Sequence, residues 1–334
     1  MVLEDIGHFL LSKLDSERAH WIAKQAMRAG VFAPGRFRTE ESKTKLFDIE
    51  LDNPFGIAAG FDKYAVLQNR VRDYGFGWIE SGSFTFGGGR GNRRPRLFRL
   101  EDGSMLNRMG LNNCGSALAA EEFIDAKNQD IFGVSIAKTH NPDIVGKKAI
   151  EDVVCSFALL KHFGVYTVIN LSCPNTREGR TFEEPESFRE LDYALRGVGK
   201  GRELVYKFSP DLDRGKLEKL VEISSGFADG YEISNTQGIE HSRYGRGGLS
   251  GPGLRKLALE SVRMLRDMTD KPIIAVGGIS IGKDAFELRK AGANCFLVFT
   301  GFSYKHPNNP YAGPRFAHKI NEEYFELVRR ESGS

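Results

Sequence analysis

Beyond residue 45 the chain alternates two kinds of hydrophobic pattern. Short runs of consecutive apolar residues have the length of buried strands. They are followed by stretches in which apolar residues recur every three or four positions, as on one face of a helix. The runs predict strands at Phe55–Ala58, Trp78–Ser81, Phe132–Ile136, Val165–Leu171, Leu204–Phe208, Gly230–Ser234, Pro272–Val276 and Cys295–Phe299. The helical patterns fall near 65–74, 115–127, 147–162, 186–199, 213–224, 253–268, 282–291 and 309–329. Eight strands, each followed by a helix, predict an α/β fold of the closed (β/α)8 type, a TIM barrel. A doubly wound open sheet is the alternative, and the lack of G-x-G-x-x-G after the first strand disfavours it. Two inserted hairpins are predicted: "LFDIELDNPFGIA" with a turn at Asp52-Asn53, and "RLFRLEDGSMLNRM" with a turn at Asp102-Gly103.

The first 30 residues read differently. Leu3, Ile6, Leu10 and Leu14 form a helical stripe with Phe9 and Leu11 beside it, and Asp15 and Ser16 cap a second helix that runs through Met27 and stops at Gly30. The chain thus divides into a two-helix extension, residues 1–30, and a barrel, residues 45–334. An amphipathic piece of this kind packs on its own domain or turns an apolar face to a membrane surface or a lipophilic ligand.

Composition narrows the function. Lys plus Arg is 47 and Asp plus Glu is 44, a formal net charge of +3, which gives no case for nucleic acid. The local run "GGGRGNRRPRLFRL" is a solvated loop or an anion or partner surface. The cysteines, Cys114, Cys155, Cys173 and Cys295, form no CxxC pair, so no metal site and no iron–sulfur partner is expected, and a reducing cytoplasm suits them. No apolar run approaches the ~18 residues of a membrane span, and the start "MVLEDIGHFL" lacks signal-peptide features.

In a barrel of this type the chemistry lies at the C-terminal ends of the strands. "AAGFDK" brings Ala58, Ala59, Gly60 and Lys63, small residues that admit a ligand to the backbone and a cation beside them. "VGGIS" after strand seven, "FTG" after strand eight and "GGLSG" at 247–251 predict a phosphate site. Lys207 sits within the apolar run "LVYKF", where an ammonium is costly unless it meets an anion. That anion is a structural carboxylate or the electron-rich edge of a reduced flavin; a Schiff-base lysine is a third option. Asn107, Asn170, Asn175 and Asn235 offer paired donors and acceptors suited to a planar, amide-bearing ring. Cys173, in "VINLSCPNT", is a small buried hydrophobe or a thiolate base.

Taken together, "AAGFDK", "RPRLFRL", "NRMGLNN", "INLSCPNT", "GGLSG" and "IIAVGGIS" resemble, in order, the dihydroorotate dehydrogenases, from about residue 10 to about residue 305. The resemblance implies an FMN barrel that oxidises dihydroorotate to orotate in pyrimidine synthesis. It implies that Ala58, Ala59, Gly60, Lys63, Ser83, Ser135, Asn170, Lys207, Ser234, Ser250, Gly251, Gly278, Phe299 and Thr300 line FMN. Lys63, Asn107, Arg108, Met109, Gly110, Leu111, Asn170, Asn175, Asn235 and Thr236 are implied to hold the substrate, with Cys173 as base and Thr176 assisting. The extension, with His20, and Arg99 in "RLFRL" resemble the membrane-associated, quinone-using class, whose base is Ser; Cys173 resembles the soluble class. By that likeness alone the implied protein is a peripheral, monomeric enzyme at the cytoplasmic face of a membrane or in the cytoplasm. Tyr64, Ser135, Leu111 and the charged segment 177–185 depart from the family pattern, while Ser83 and Ser234 replace threonines. An alternative reading is therefore a related flavin barrel acting on another cyclic amide or an enone, or one using a soluble acceptor such as fumarate.

Overall fold

The computed structural model describes residues 11, 13–127, 129–172 and 181–333. Helix α1 spans Ser16–Arg28, and the strands of the barrel are β3 (Phe55–Ile57), β4 (Trp78–Phe84), β7 (Phe132–Ile136), β8 (Tyr166–Asn170), β9 (Glu203–Phe208), β10 (Gly230–Ile233), β13 (Ile273–Val276) and β14 (Cys295–Val298). They close in the order β10-β13-β14-β3-β4-β7-β8-β9, with every neighbour parallel. All eight strands expected from the apolar runs are present, to within a few residues at their ends. Outside them pack α2 (Ser116–Ile124), α3 (Lys147–Leu160), α4 (Pro185–Val198), α5 (Arg214–Ser224), α6 (Arg255–Arg266), α7 (Gly282–Lys290), the short α8 (Thr300–Ser303) and α9 (Phe316–Ser332).

The first βα connection departs from expectation. No helix forms over 65–74; only a tight turn at Val71–Tyr74 does. The carboxylate of Asp62 accepts the backbone N–H groups of Tyr64, Val66 and Leu67, and Ala65 sits at φ +54°. A side chain that satisfies three nearby amides holds the chain in turns and competes with a helix.

The barrel is filled from its lower end. Trp78, Tyr166, Val168, Val205, Ile274, Cys295 and Leu297 point inward and form one cluster with Leu46 and Leu51. The last two belong to the hairpin of β1 (Thr44–Leu46) and β2 (Ile49–Leu51), which plugs the N-terminal ends of the strands with Phe47 5.8 Å from the Tyr166 ring. Two glycines make room for the large rings. A Cβ on Gly56 would lie 2.6 Å from the Trp78 indole, and one on Gly133 2.4 Å from the Tyr166 ring. The hairpin turns at Phe47 and Asp48 rather than at Asp52-Asn53. Asp52 is buried and paired with Arg36, Arg38 and Arg72, while Asn53 bonds Phe37 O and Gly75 O, so these two residues brace the chain between β2 and β3.

The second expected hairpin, β5 (Leu97–Arg99) and β6 (Met105–Asn107), does turn around Asp102-Gly103. It continues into a sheet with β11 (Gln237–His241) and β12 (Gly245–Ser250), a third hairpin that the sequence pattern did not reveal. "GGLSG" is therefore largely strand, not a loop.

Asp15 caps α1 by accepting from Glu17 N and Arg18 N, as expected, and Gly30 (φ +74°) follows its end. Most of the first expected helix lies outside the described residues. The arginine run proves to be a dock for α1. Glu17 pairs with Arg96 at 2.7 Å and Arg94 at 2.9 Å, and Arg96 also donates to the carbonyl of Asn92 at 2.8 Å. Desolvation works against the Glu17 carboxylate, but the Arg96 and Arg94 contacts outweigh it and lower its pKa. Arg96 is buried, so removing Glu17 leaves a buried charge uncompensated. Glu17→Gln is expected to loosen α1 by about 2 kcal/mol. Amide exchange over 16–28 then quickens by more than about tenfold while the barrel strands keep theirs; unchanged exchange in α1 would remove this ion pair from its docking.

Candidate active site

The polar ends of four strands meet above the filled part of the barrel. Ser83 of β4 and Ser135 of β7 share an O–H···O bond of 2.8 Å, and Asn170 of β8 donates to Ser83 at 3.5 Å. Asn170 Oδ1 accepts from Ser172 Oγ and from Asn235 Nδ2, both at 3.2 Å, and Asn235 also donates to Ser172 Oγ at 2.7 Å. Thus Asn170 and Asn235 converge. Ser135, where an amide is usual in the resembling family, completes the network through its hydroxyl. Asn107 joins from the inserted sheet, donating to Gly248 O at 3.3 Å. A Cβ on Gly248 would fall 2.2 Å from Thr236 Oγ1 and 3.2 Å from Asn107 Nδ2, so this residue must be glycine for both to be there.

The rest of the expected run 108–111 behaves otherwise. Arg108 donates to Tyr244 O at 2.9 Å, Met109 O accepts from Asn92 N at 3.0 Å, and Gly110 (φ +70°) and Leu111 (φ +50°) turn the chain. Cys173, Asn175 and Thr176 lie outside the described residues.

On the opposite side the loops after β12, β13 and β14 meet. Ser250 and Thr300 share a 2.9 Å hydroxyl bond, and a Cβ on Gly251 (φ +96°) would lie 2.7 Å from Thr300 Cγ2. Gly278 (φ +73°) lies against the backbone of Arg255, with 2.4 Å left for a Cβ. Phe299 faces Gly60, at the end of the small-residue run Ala58–Gly60, where a Cβ would have 3.8 Å. Ser234 bonds Val276 O with both its N–H and its hydroxyl.

Lys207 is in register with Asn170 on one side and Glu232 on the other. Its Nζ lies 2.5 Å from Glu232 Oε1 and 3.7 Å from Glu80 Oε1. The anion it was expected to need is therefore supplied by the protein. The same signal that marks Lys207, a charge inside an apolar run, was present at Glu80 in "WIESGS" and Glu232 in "GYEIS", and the sequence reading passed over both. Ser172 was passed over as well.

Lys63 is partly buried, and desolvation lowers its pKa to about 8, against the pull of Glu17. Beside it, His20 projects from α1. Its ring lies 4.7 Å from that of Phe61, edge on, and 5.9 Å from Phe299, stacked. Nε2 is 3.0 Å from Phe61 O, and because a carbonyl only accepts, Nε2 carries the proton. Burial, then the charges of Lys63 and Lys24, depress its pKa to about 3. Arg99 donates to Leu14 O at 3.0 Å and Leu11 O at 3.3 Å, and its guanidinium lies 5.7 Å from the Tyr304 ring. Tyr64 lays its ring 4.5 Å from the ammonium of Lys24. Among the described residues no cluster of metal-ligating side chains occurs.

Residues 41–324 match the family model of dihydroorotate dehydrogenase. A dihydroorotate dehydrogenase (quinone) of Christiangramia forsetii is 33% identical over 338 residues, covering 95% of this chain and 96% of that protein. One from Halobacterium salinarum is 35% identical over 292 residues, covering 84% and 80%. A crystal structure of Eimeria tenella DHODH in complex with ferulenol superposes with a TM-score of 0.84 at 27% identity, covering 96% of this chain and 95% of that one.

The His20 geometry carries a sign. A histidine neutral in the fold but free to protonate when unfolded gives the unfolded state the extra proton between about pH 3 and about pH 6.5. Stability therefore falls as the pH drops through that window, by at most about 1.4 kcal/mol per pH unit from this group. His20→Gln is expected to flatten that part of the acid limb in denaturation curves; an unchanged slope would show that His20 titrates alike in both states.

Proposed function

The chain belongs to the dihydroorotate dehydrogenase family, and from that premise we propose that its barrel mouth oxidises dihydroorotate to orotate in pyrimidine biosynthesis and passes the electrons to a quinone. The observation that carries this reading is the convergence of Asn170, Asn235 and Ser172 at the C-terminal ends of the strands, with Lys207 in register with Asn170. Neutral amides suit the ring amides of dihydroorotate, and Lys63 suits its carboxylate.

The family implies a flavin, and we assign FMN. The residues fit it. Ala58, Ala59 and Gly60 offer a flat wall without long side chains, and the loops around Ser250, Gly251, Gly278, Phe299 and Thr300 offer bare backbone and hydroxyls to a phosphate. Ser83, Ser135, Asn170, Lys207 and Ser234 would line the ring system. When bound, FMN supplies the two-electron acceptor for the hydride that leaves C6 of the substrate.

The chain's own part is to hold the substrate and move a proton. Lys63, Asn107, Asn170, Asn175, Asn235 and Thr236 would fix dihydroorotate, with 108–111 closing one side. Cys173 would take the proton from C5. A thiol has an ordinary pKa of about 8.5, so a useful share of thiolate is reached near neutral pH, and Thr176 would assist the transfer.

Residues 1–30 form the quinone-side extension in this reading and residues 45–334 the FMN barrel. His20 and Arg99 lie where that extension meets the mouth. On α1 Trp21 and Ile22 are exposed, with Leu14, Val31 and Phe32 nearby in the chain, which suits a peripheral membrane surface at the cytoplasmic face. Among the described residues no helix is long and apolar enough to cross a membrane. We assign a monomer.

The test is an anaerobic flavin spectrum. Dihydroorotate should bleach it and a short-chain quinone restore it; no bleaching, or recovery only with fumarate, would overturn the substrate or the acceptor. Cys173→Ala should keep the flavin and slow bleaching by at least about a hundredfold, within the usual range for a general base. Lys63 adds a pH dependence. A carboxylate ligand prefers the ammonium, which the ligand-free protein begins to lose near pH 8. Orotate affinity should be flat below about pH 7 and fall toward tenfold per unit above about pH 8, and Lys63→Met should bind weakly with a flatter profile.

A further inference from the structure

Three ionisable groups share the inside of the barrel below the mouth. The side chains of Lys207, Glu232 and Glu80 are 5%, 0% and 0% exposed. One ammonium faces two carboxyls. Lys207 Nζ stands 2.5 Å from Glu232 Oε1 and 3.7 Å from Glu80 Oε1. From β8 the Tyr166 hydroxyl donates to Glu80 Oε2 at 3.3 Å and itself accepts the Trp78 indole N–H at 3.0 Å. Cys295, from β14, adds a buried thiol near Tyr166. Among the described residues, Tyr166 and Cys295 are the further titratable groups that the strands bring to the trio.

If both carboxyls were ionised, the buried trio would carry a net negative charge, and with Lys207 on Glu232 Oε1 there would remain Glu80 Oε1 and Glu232 Oε2 without a hydrogen-bond donor. A proton on Glu80 Oε1, donated to Glu232, removes both faults at once. The donors then run one way: Trp78 to Tyr166, Tyr166 to Glu80, Glu80 to Glu232, with Lys207 closing on Glu232 as its ion pair.

We propose that Glu80, Glu232 and Lys207 form a buried proton-holding site beneath the mouth, with one proton between the two carboxyls, and that Glu232 is the positioning residue that fixes and offsets the Lys207 ammonium. Burial and the neighbouring Glu232 both push the Glu80 carboxyl well above its ordinary range. Burial opposes the Lys207 ammonium, but Glu232 and Glu80 outweigh it and hold the charge in place. Because Lys207 is in register with Asn170 at the mouth, its field on anything bound there is that of a paired cation, not of a bare one.

The first test is infrared and needs no flavin. At pH 8 the parent protein should show the C=O stretch of a protonated carboxylic acid, shifting slightly in deuterium oxide. Glu80→Gln should lose it because the acid is gone. Glu232→Gln should lose it because Glu80, left alone with Lys207, ionises. Absence of the band from the parent overturns the proposal without any variant, and so does its survival in Glu232→Gln, which would mean that Glu80 keeps its proton unaided. The second test, which rests on the flavin reading above, is the reduction potential of the bound flavin. The double variant Glu80→Gln, Glu232→Gln, which leaves Lys207 without a carboxylate, should favour the reduced form by about tenfold or more, about 30 mV for two electrons, whereas Glu232→Gln alone, with Glu80 ionised in its place, should shift it far less. An unshifted potential in the double variant would deny the carboxyls their offset of Lys207. A protein that holds no flavin would defeat that reading and leave the infrared result standing.

Discussion

An ammonium inside a closed barrel must be compensated where it stands. The barrel has no free edge, and its lower half is filled by Trp78, Tyr166 and the plug of Leu46 and Leu51, which shut Lys207 off with packed side chains. Glu232 and Glu80 provide the compensation, at a depth where an unpaired charge would cost several kcal/mol. This requirement divides the interior into layers. Apolar rings fill the floor, and above them Lys207 and Glu232 stand in register with Asn170, which ties into the hydroxyls and amide of Ser83, Ser135 and Asn235. The polar top layer can be left open to a ligand because the floor alone supplies the packing that closes the barrel.

The second organising contact is on the outside. Glu17 holds α1 against Arg94 and Arg96, and Arg99 takes the carbonyls of Leu11 and Leu14. That placement sets a neutral His20 between Phe61 and Phe299, next to Lys63. In the proposed reading the mouth has two approaches of different character. One is lined by amides and lysine, suited to a polar, charged ring. The other is lined by aromatic rings and an uncharged imidazole beneath an exposed apolar helix face, suited to a lipophilic acceptor. A fold with these two approaches can take electrons from one partner and give them to the other without the two meeting.

Much of this was readable in the residues, for identifiable reasons. The strands declared themselves because buried parallel strands are continuous apolar runs. Lys207 declared itself because charge in such a run is rare, and its partners Glu80 and Glu232 carried the same mark. What stayed hidden depended on tertiary contacts. Asp52 and Asn53 looked like a turn pair but are buried braces. Asp62 turns an expected helix into turns by bonding three amides. The strands "QGIEH" and "GRGGLS" are half-exposed and glycine-rich, so no alternation announced them, yet they bring Thr236 and Gly248 to Asn107. The arginine run looked like a solvated loop or an anion surface because its anion, Glu17, lies 77 and 79 residues away from Arg94 and Arg96 in sequence.

In the proposed reading the two half-reactions use two separate approaches to one flavin. Rapid mixing separates them. Bleaching by dihydroorotate and recovery with a long-chain quinone are timed in the parent chain and in His20→Ala. The variant should bleach at the parental rate and recover about tenfold more slowly or worse, a loss of about 1.4 kcal/mol or more in the second step alone. Equal recovery, or equal slowing of both steps, would contradict it.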